Sequence, residues 1–483
     1  MIEAVRKISK DSIDEDWGKI DRNRLKMYVL MEEIKLNAQL REVEYQIDFE
    51  LKKNKKGSGA KSSTKFTFYS IVGIYFMMYL CIGILPPNIP NLLKTLPLSS
   101  SAGFGILIAT NLFIGMVVML VLGYFGDRMY TKISRKTMFF LTNFIWVSCY
   151  GLIATVPNFL GMLCFVAVGA IGVGAFLPIG FSMVSDLFSP ETRGTKFGMM
   201  HFVLVLGNGC GMLLGSLFGS LNLGTGWRLV YFFAGLFASI PLLGFWLYGK
   251  NLRDINAEPS LYRYSFNTKV IRIILKQKSL LGILGAVLGS WVAMATLATW
   301  SIFYLSQSFW STPTATIIYI IAGLGALPGA IIGGKLGDIK YRNGAPRGRV
   351  LISCIGTIVG VSCFFIFFTA PIMIFCGVLG YFFTAFAIGN QFALYTELVP
   401  AHFRSTVNAL NGIMMNIGGI IGNLLISSLI RIDTSILQGA LFLVLGIWAV
   451  SALLWKLPLN YYLYERIIPS SHKVLVIPSH ALP

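Results

Sequence analysis

The feature that most constrains this chain is a series of apolar runs that repeats from Phe66 to Leu457. Many of these runs are near the roughly 20 residues that a helix needs to cross a bilayer. Only 13% of the residues are charged, whereas a soluble protein carries roughly 25%. The runs therefore predict an all-α integral membrane protein that crosses the bilayer many times.

Twelve spans can be placed along the chain, six in each half. Their predicted bounds are 66–86, 102–125, 137–156, 158–186, 197–220, 228–249, 279–307, 314–337, 348–369, 371–397, 405–430 and 436–458. This order predicts five parts, namely an N-terminal extension, a six-helix bundle, a central loop, a second six-helix bundle and a tail. They cover residues 1–65, 66–249, 250–278, 279–458 and 459–483. Within the extension, residues 25–52 have helical periodicity, which predicts an amphipathic helix followed by a linker.

The charge of +19 follows from basic residues that cluster at every second gap between the apolar runs. Clusters precede span 1, follow spans 2, 4, 8 and 10, and fill the central loop. This alternation is the positive-inside bias of membrane proteins, so it argues against nucleic acid as a partner. It predicts that both termini and the central loop are cytoplasmic. We expect the plasma membrane as the location.

An internal repeat relates the two halves. The segment Gly123–Asp127 ends span 2, and Gly334–Asp338 ends span 8, 211 positions later (338 − 127 = 211). The same offset relates further acidic, basic and glycine positions. These pairs are Asp186 with Glu397, Arg193 with Arg404, Gly207 with Gly418, and Gly211 with Gly422. Duplicated halves about a central loop are typical of transporters, whose substrate site lies between the halves.

The repeated loops resemble the signatures of a known family. Gly123, Gly126, Asp127 and Arg128 resemble the loop between spans 2 and 3 of the major facilitator superfamily, and residues 190–194 resemble its signature after span 4. The resemblance extends over both predicted bundles. It implies the twelve-helix major facilitator fold and transport by alternating access.

The resemblance also implies a conformational latch, meaning an ion pair that holds the cytoplasmic side closed in the outward-facing state. Asp127 would pair with Arg193 and face span 11, and Asp338 would pair with Arg404 and face span 5. The expected latch residues are Gly123, Gly126, Asp127, Arg128, Arg193, Gly334, Gly337, Asp338 and Arg404.

Shorter motifs are similar to the Spinster-type branch, which is associated with export of lysophospholipids and sphingoid lipids. They include Gly172–Gly174 and Pro346–Arg349. The chain departs from that branch at three ionisable positions. Met77 with Met78, Ala175 and Val168 stand there instead. The resemblance therefore suggests a lipid substrate without carrying over the branch's coupling residues.

The predicted spans contain neutral polar and aromatic residues and no acid or basic group near their middle. A buried cation usually marks a site for an anionic substrate, so a neutral or amphipathic substrate is favoured. His201 could titrate near neutral pH, or it could be a hydrogen-bonded packing residue. The candidate cavity residues are Tyr75, Tyr79, His201, Asn208, Trp291, Thr299, Trp300, Tyr304, Asn390, Gln391 and Asn411. Such residues could equally form hydrogen bonds between helices.

Several alternatives stay open. Residues 207–211 resemble the span 5 motif of drug–proton antiporters, and the neutral content would also suit a sugar. A non-transporting receptor or scaffold would instead use the N-terminal helix. Motifs of hydrolases, zinc proteases and P-loop ATPases are absent from the sequence, so no enzymatic activity, cofactor or metal is expected. The expected partners are a small-molecule or lipid substrate and membrane lipids, with the protein as a monomer.

Overall fold

The computed structural model describes residues 61–188, 190–219, 221, 225–250, 276–369, 374–399, 404–430 and 436–465. The predicted helix at 25–52 lies outside these residues. So do the side chains of five predicted site residues whose backbone is described. These are Asp127, Arg128, Arg193, His201 and Arg404.

The described part of the chain is helical. Its first half contains the helices Lys61–Gly83, Leu85–Thr95, Ser101–Lys132, Arg135–Leu152, Phe159–Phe176, Ser182–Leu187, Pro190–Phe218 and Trp227–Tyr248. Its second half contains Lys278–Ser308, Thr312–Leu324, Ala326–Arg342, Gly348–Thr369, Ile374–Thr384, Phe386–Leu398, Arg404–Ile430, Leu437–Ala452 and Lys456–Glu465.

These helices agree with the twelve predicted spans. Among the described residues, eleven helical segments are long and apolar enough to cross a membrane. The remaining one, span 5, contains the shorter apolar helix Phe202–Phe218. A helix satisfies its own backbone hydrogen bonds, which is why apolar runs fold this way in lipid. The predicted fold class is confirmed.

Several spans consist of two helical pieces, and their sequences explain the breaks. Span 1 breaks before Pro86 and Pro87, which lack the backbone N–H that a continuous helix needs. Span 4 passes through a π-helical turn at Leu177–Phe181, which contains a proline. Span 8 breaks at Gly325, where a Cβ would lie 2.2 Å from the carbonyl oxygen of Val378 in span 10.

Polar contacts between helix ends define two faces of the molecule. At one face, Lys136 Nζ donates to the carbonyl oxygen of Gly249 at 2.7 Å, which joins the start of span 3 to the end of span 6. We call this the basic face, since Lys136 at the start of span 3, Lys340 at the end of span 8 and Arg347 before span 9 lie at it. At the opposite face, Arg228 donates to the carbonyl oxygen of Val156 at 2.8 Å. The positive-inside bias predicts that the basic face is cytoplasmic.

The internal repeat reappears as a pair of matching helix contacts. A Cβ added at Gly211 in span 5 would lie 2.1 Å from the carbonyl oxygen of Leu80 in span 1. A Cβ at Gly422 in span 11 would lie 2.1 Å from the carbonyl oxygen of Val292 in span 7. One turn earlier a Cβ would lie 2.5 Å from a carbonyl oxygen in both halves, at Gly207 and Gly418. Only glycine lets these backbones approach so closely.

The contact at Gly211 can be tested against Gly209 in the same helix. A Cβ at Gly209 would have no neighbour within 4 Å. We expect Gly211→Ala to lower the melting temperature of the purified protein by several degrees, because spans 1 and 5 must separate. Gly209→Ala should leave it unchanged or raise it, since alanine stabilises a helix interior by about 1 kcal/mol relative to glycine. Thermal unfolding in detergent measures both, and equal shifts would contradict the close packing.

Candidate functional site

Three charged residues meet at the basic face of the second bundle. They stand at the end of span 8, the start of span 9 and the end of span 10. Arg349 NH2 lies 2.6 Å from Asp338 Oδ1, and Arg349 NH1 donates to Glu397 Oε1. The exposed fractions of the side chains are 14% for Arg349, 18% for Glu397 and 49% for Asp338. We call these three residues the charge cluster. The guanidinium joins three consecutive spans because its donors form a fixed fork.

Neighbouring groups hold Arg349 and Glu397 in place. Tyr462 donates its hydroxyl to Glu397 Oε2. The guanidinium carbon of Arg349 lies 4.5 Å from the ring centroid of Tyr341, which is a cation–π contact. A Cβ at Gly337 would lie 2.0 Å from Asn390 Oδ1 and 3.1 Å from the Cγ of Arg349. Gly337 is therefore required by packing inside this bundle.

The two glycines of the predicted second latch differ in their surroundings. A Cβ added at Gly334 would have no neighbour within 4 Å, in contrast to Gly337. Asp338 contacts Arg349, a partner that the motifs did not assign. Since the Arg404 side chain is outside the described part, the pairing of Asp338 with Arg404 stays a prediction. The pairing of Asp127 with Arg193 stays one as well.

Charge complementarity is the signal that could have found the cluster. Asp338, Arg349 and Glu397 lie near the basic-face ends of three consecutive spans, and such ends meet in a helical bundle. The motifs make only Asp338 a site residue, because Glu397 was noted as a repeat position and Arg349 as part of the Pro346–Arg349 motif. No sequence signal indicated that Tyr462 binds Glu397, because Tyr462 follows the last predicted span.

The two bundles meet closely near the opposite face. A Cβ at Gly105 in span 2 would lie 2.6 Å from the carbonyl oxygen of Asn423 in span 11. The outer helix of span 8, Thr312–Leu324, contacts span 5, and the helix Leu85–Thr95 contacts span 7. The inner helix of span 8, Ala326–Arg342, packs on spans 9 and 10 of its own bundle. These contacts hold the bundles together at the opposite face.

A cavity of about 450 Å³ lies between the bundles at the opposite face. Spans 1, 2, 7 and 12 contribute to its walls, which combine apolar and polar side chains. The lining residues include Leu93, Lys94, Phe303, Tyr304, Gln307 and Gln438. This volume falls within the range of small-molecule sites.

A group of neutral polar side chains joins spans 10 and 11. Asn411 Oδ1 accepts from Gln391 Nε2 at 2.6 Å and from the Tyr395 hydroxyl at 2.9 Å. Asn411 and Tyr395 are buried, whereas Gln391 is half-buried. Two of the predicted cavity residues, Gln391 and Asn411, are therefore brought together.

Tyr75 and Tyr79, two predicted residues of the first bundle, form a separate aromatic group. Tyr75 and Tyr79 meet edge to face with their ring centroids 5.0 Å apart. Tyr75 also stacks on Phe176 of span 4 at 4.6 Å. Asn208 packs against span 1, because a Cβ at Gly83 would lie 3.0 Å from its Oδ1.

Four of the five other predicted cavity residues make contacts that hold helices together. Asn390 donates to the carbonyl oxygen of Gly333, and Trp300 donates to Asn423 Oδ1 at 3.1 Å. Thr299 donates within its own helix. Two further residues sit at different levels of span 7. Trp291 lies against Gly418, and Tyr304 donates to the carbonyl oxygen of Phe368 at the opposite face. These five residues are not assembled into one site in this conformation.

The described side chains carry their acidic groups at one face. Their carboxylates are Asp338, Glu397 and Glu465, all at the basic face. Within the same part of the chain, no cluster of histidine, cysteine or acidic residues could hold a metal ion. The arrangement can therefore offer hydrogen bonds and aromatic surface to a ligand between the bundles.

Comparison with known proteins gives one long match and several short ones. The family model described as Major Facilitator Superfamily matches residues 71–423. Multidrug resistance protein 3 of Bacillus subtilis is 34% identical over 96 residues, 19% of this chain and 19% of that protein. The Sphingosine-1-phosphate transporter SPNS2 of Mus musculus is 28% identical over 116 residues, 24% of this chain and 20% of that protein. The chain thus matches about a fifth of the length of each of these two relatives.

Among solved structures, the fold is similar to that of a bacterial homologue of the human lysosomal transporter Spinster, in an inward-facing and unoccupied conformation. The TM-score is 0.70 at 16% identity, and the likeness covers 85% of this chain and 100% of that chain. The predicted resemblance to Spinster-type proteins is confirmed, by a short sequence match and by a fold match.

The charge cluster can be tested by removing its cation. We expect Arg349→Ala to destabilise the purified protein by about 2 kcal/mol, because two partly buried carboxylates lose their shared donor. Arg347→Ala is the matched control, since Arg347 is exposed and lies two residues earlier. Thermal unfolding in detergent compares the variants with the wild type. Similar unfolding of both variants would show that the cluster contributes no stability.

Proposed function

We propose, from the premise that this chain belongs to the major facilitator superfamily, that it moves a neutral or amphipathic small molecule such as a lysolipid across the membrane. The family and the fold support membrane transport as the general activity. Substrate class, alternating access, cytoplasmic termini and a plasma-membrane location are parts of the proposal.

The observation that carries the substrate class is the hydrogen-bonded group of Gln391, Tyr395 and Asn411. It offers amide and hydroxyl groups without formal charge, on spans 10 and 11. Aromatic rings of Tyr75 and Tyr79 stand in the other bundle. A neutral polar group and an aromatic surface suit the polar head and the apolar chain of an amphipathic molecule.

The contacts between the bundles support alternating access. Gly105 seats span 2 against Asn423 in span 11 near the opposite face, and the outer helix of span 8 contacts span 5. The inner helix of span 8 packs within its own bundle. This arrangement suits a conformer that is closed at the opposite face. Rocking of the bundles would exchange it for the reverse conformer.

A hydrophobic drug is the second candidate substrate. The observation in its favour is the local match to Multidrug resistance protein 3, which has higher identity than the match to SPNS2 but covers fewer residues.

At the positions where Spinster-type proteins have ionisable residues, this chain has Met77 with Met78, Ala175 and Val168. Proton coupling of the Spinster type is therefore not part of our proposal.

Transport can be measured as uptake of labelled lysophosphatidylcholine into proteoliposomes, with and without an imposed pH gradient. We expect protein-dependent uptake, and about a tenfold lower initial rate for Asn411→Leu, because Gln391 and Tyr395 lose their shared acceptor. Asn408→Leu is the control, since Asn408 is exposed and lies one turn earlier in span 11.

Three outcomes would change the proposal. No uptake by folded wild-type protein would contradict the lysolipid substrate, and inhibition screens with hydrophobic drugs and sugars would then follow. Equal rates for Asn408→Leu and Asn411→Leu would contradict the role of the polar group. Loss of all flux on deletion of residues 1–60 would contradict the expectation that the two bundles transport without the extension.

A further inference from the structure

The last described helix, Lys456–Glu465, continues from span 12 and contacts the first turn of span 7. Glu465 Oε1 accepts from the backbone N–H of Lys278 at 2.9 Å, and Glu465 Oε2 accepts from that of Ser279 at 2.8 Å. These are among the N–H groups that a helix leaves without an internal partner. A carboxylate is well placed there, since the helix dipole favours an anion at the N-terminus.

A second contact strengthens this attachment. Lys278 Nζ lies 4.3 Å from the ring centroid of Tyr461 and 3.3 Å from its hydroxyl oxygen. The start of span 7 is thus held by two contacts. The Glu465 carboxylate accepts from its backbone N–H groups, and the Tyr461 ring contacts the Lys278 side chain. This span carries several of the predicted cavity residues, from Trp291 to Tyr304. These contacts therefore fix the first turn of span 7, which lies at the basic face.

The same helix also contacts the charge cluster. Tyr462 is fully buried and donates its hydroxyl to Glu397 Oε2, while Arg349 donates to Glu397 Oε1. Arg349 in turn holds Asp338. A continuous chain of polar contacts therefore runs from span 7 through the last helix to spans 10, 9 and 8.

We propose that the helix Lys456–Glu465 is a clasp that sets the balance between the two conformers, by holding the start of span 7 through Glu465 and the charge cluster through Tyr462. This inference rests on the alternating access of the proposed function. In the described conformer Asp338 is bound within its own bundle, although its side chain is half exposed. The predicted latch requires Asp338 to face span 5 in the reverse conformer, so its present partner opposes that latch.

The direction of the effect follows from the donors of Glu397. When the Tyr462 hydroxyl is removed, Glu397 Oε2 loses a donor while it stays partly buried. Arg349 then turns both arms of its guanidinium towards Glu397, since a bidentate pair is the strongest arrangement available. Asp338 is released and becomes available to span 5. Loosening the clasp therefore favours the conformer that is closed at the basic face.

Distances between spin labels on the two bundles test this proposal. Leu160 in span 4 and Ile317 in span 8 are exposed near the opposite face and belong to different bundles. Each is replaced by cysteine in a variant without other reactive cysteines, and double electron–electron resonance is recorded in nanodiscs. We expect a short and a long distance, which correspond to the opposite face being closed or open.

Two clasp variants are compared with one control. Tyr462→Phe removes a single hydroxyl from a buried ring, and Glu465→Ala removes the carboxylate at span 7. Each should raise the ratio of long to short distances by about tenfold, as expected for the loss of a charge-assisted hydrogen bond. Tyr464→Phe should leave the ratio unchanged, because Tyr464 is exposed on the same helix.

The outcomes separate the clasp from the proposed function. Two populations in the wild type that stay the same in Tyr462→Phe and Glu465→Ala would overturn the clasp and leave alternating access intact. One invariant distance in the wild type and in all variants would overturn both. Size-exclusion chromatography shows that each variant is folded, and Tyr462→Phe keeps the proposal testable if Glu465→Ala proves unstable.

Discussion

The close approach of helix backbones at glycine is the constraint on which this structure depends. Lipid tails are as apolar as the side chains, so no hydrophobic driving force brings helices together in a membrane. Helices associate there through close packing and hydrogen bonds. Here Gly211 and Gly422 bring spans 5 and 11 against carbonyl oxygens of spans 1 and 7. Because the same contact occurs in both halves, the two bundles share one way of packing their helices. The polar groups then occupy positions that this packing allows.

The fold could be predicted from the sequence because its signals are long and repeated. Apolar runs, alternating basic clusters and an offset of 211 residues each indicate the same twelve spans. The breaks within spans were harder to predict. Pro86 and Pro87 indicate the break in span 1, but the break at Gly325 in span 8 depends on the backbone of Val378 in another span. Tertiary contacts of this kind have no local signal.

The candidate site was predicted only in part, for a similar reason. Composition identified neutral polar residues, and the structure joins Gln391 to Asn411 as a pair. Composition cannot separate these from Asn390 or Trp300, which hold neighbouring helices together. Asp338 was found by its motif, whereas Arg349 and Tyr462 were missed because their roles arise from the meeting of span ends. A motif records one side of a contact, and the partner has to be found in three dimensions.

The unequal surroundings of Gly334 and Gly337 have a consequence for how variants of such a protein are judged. Asn390 and Arg349 fill the space around Gly337, so any larger residue there would clash in this conformer. A Cβ added at Gly334 has no neighbour within 4 Å in this conformer, so alanine fits there without a clash. The predicted latch gives Gly334 a role only in the reverse conformer. A screen that scores folding alone would therefore pass a variant there that harms the latch, and a transport assay would be needed to detect it.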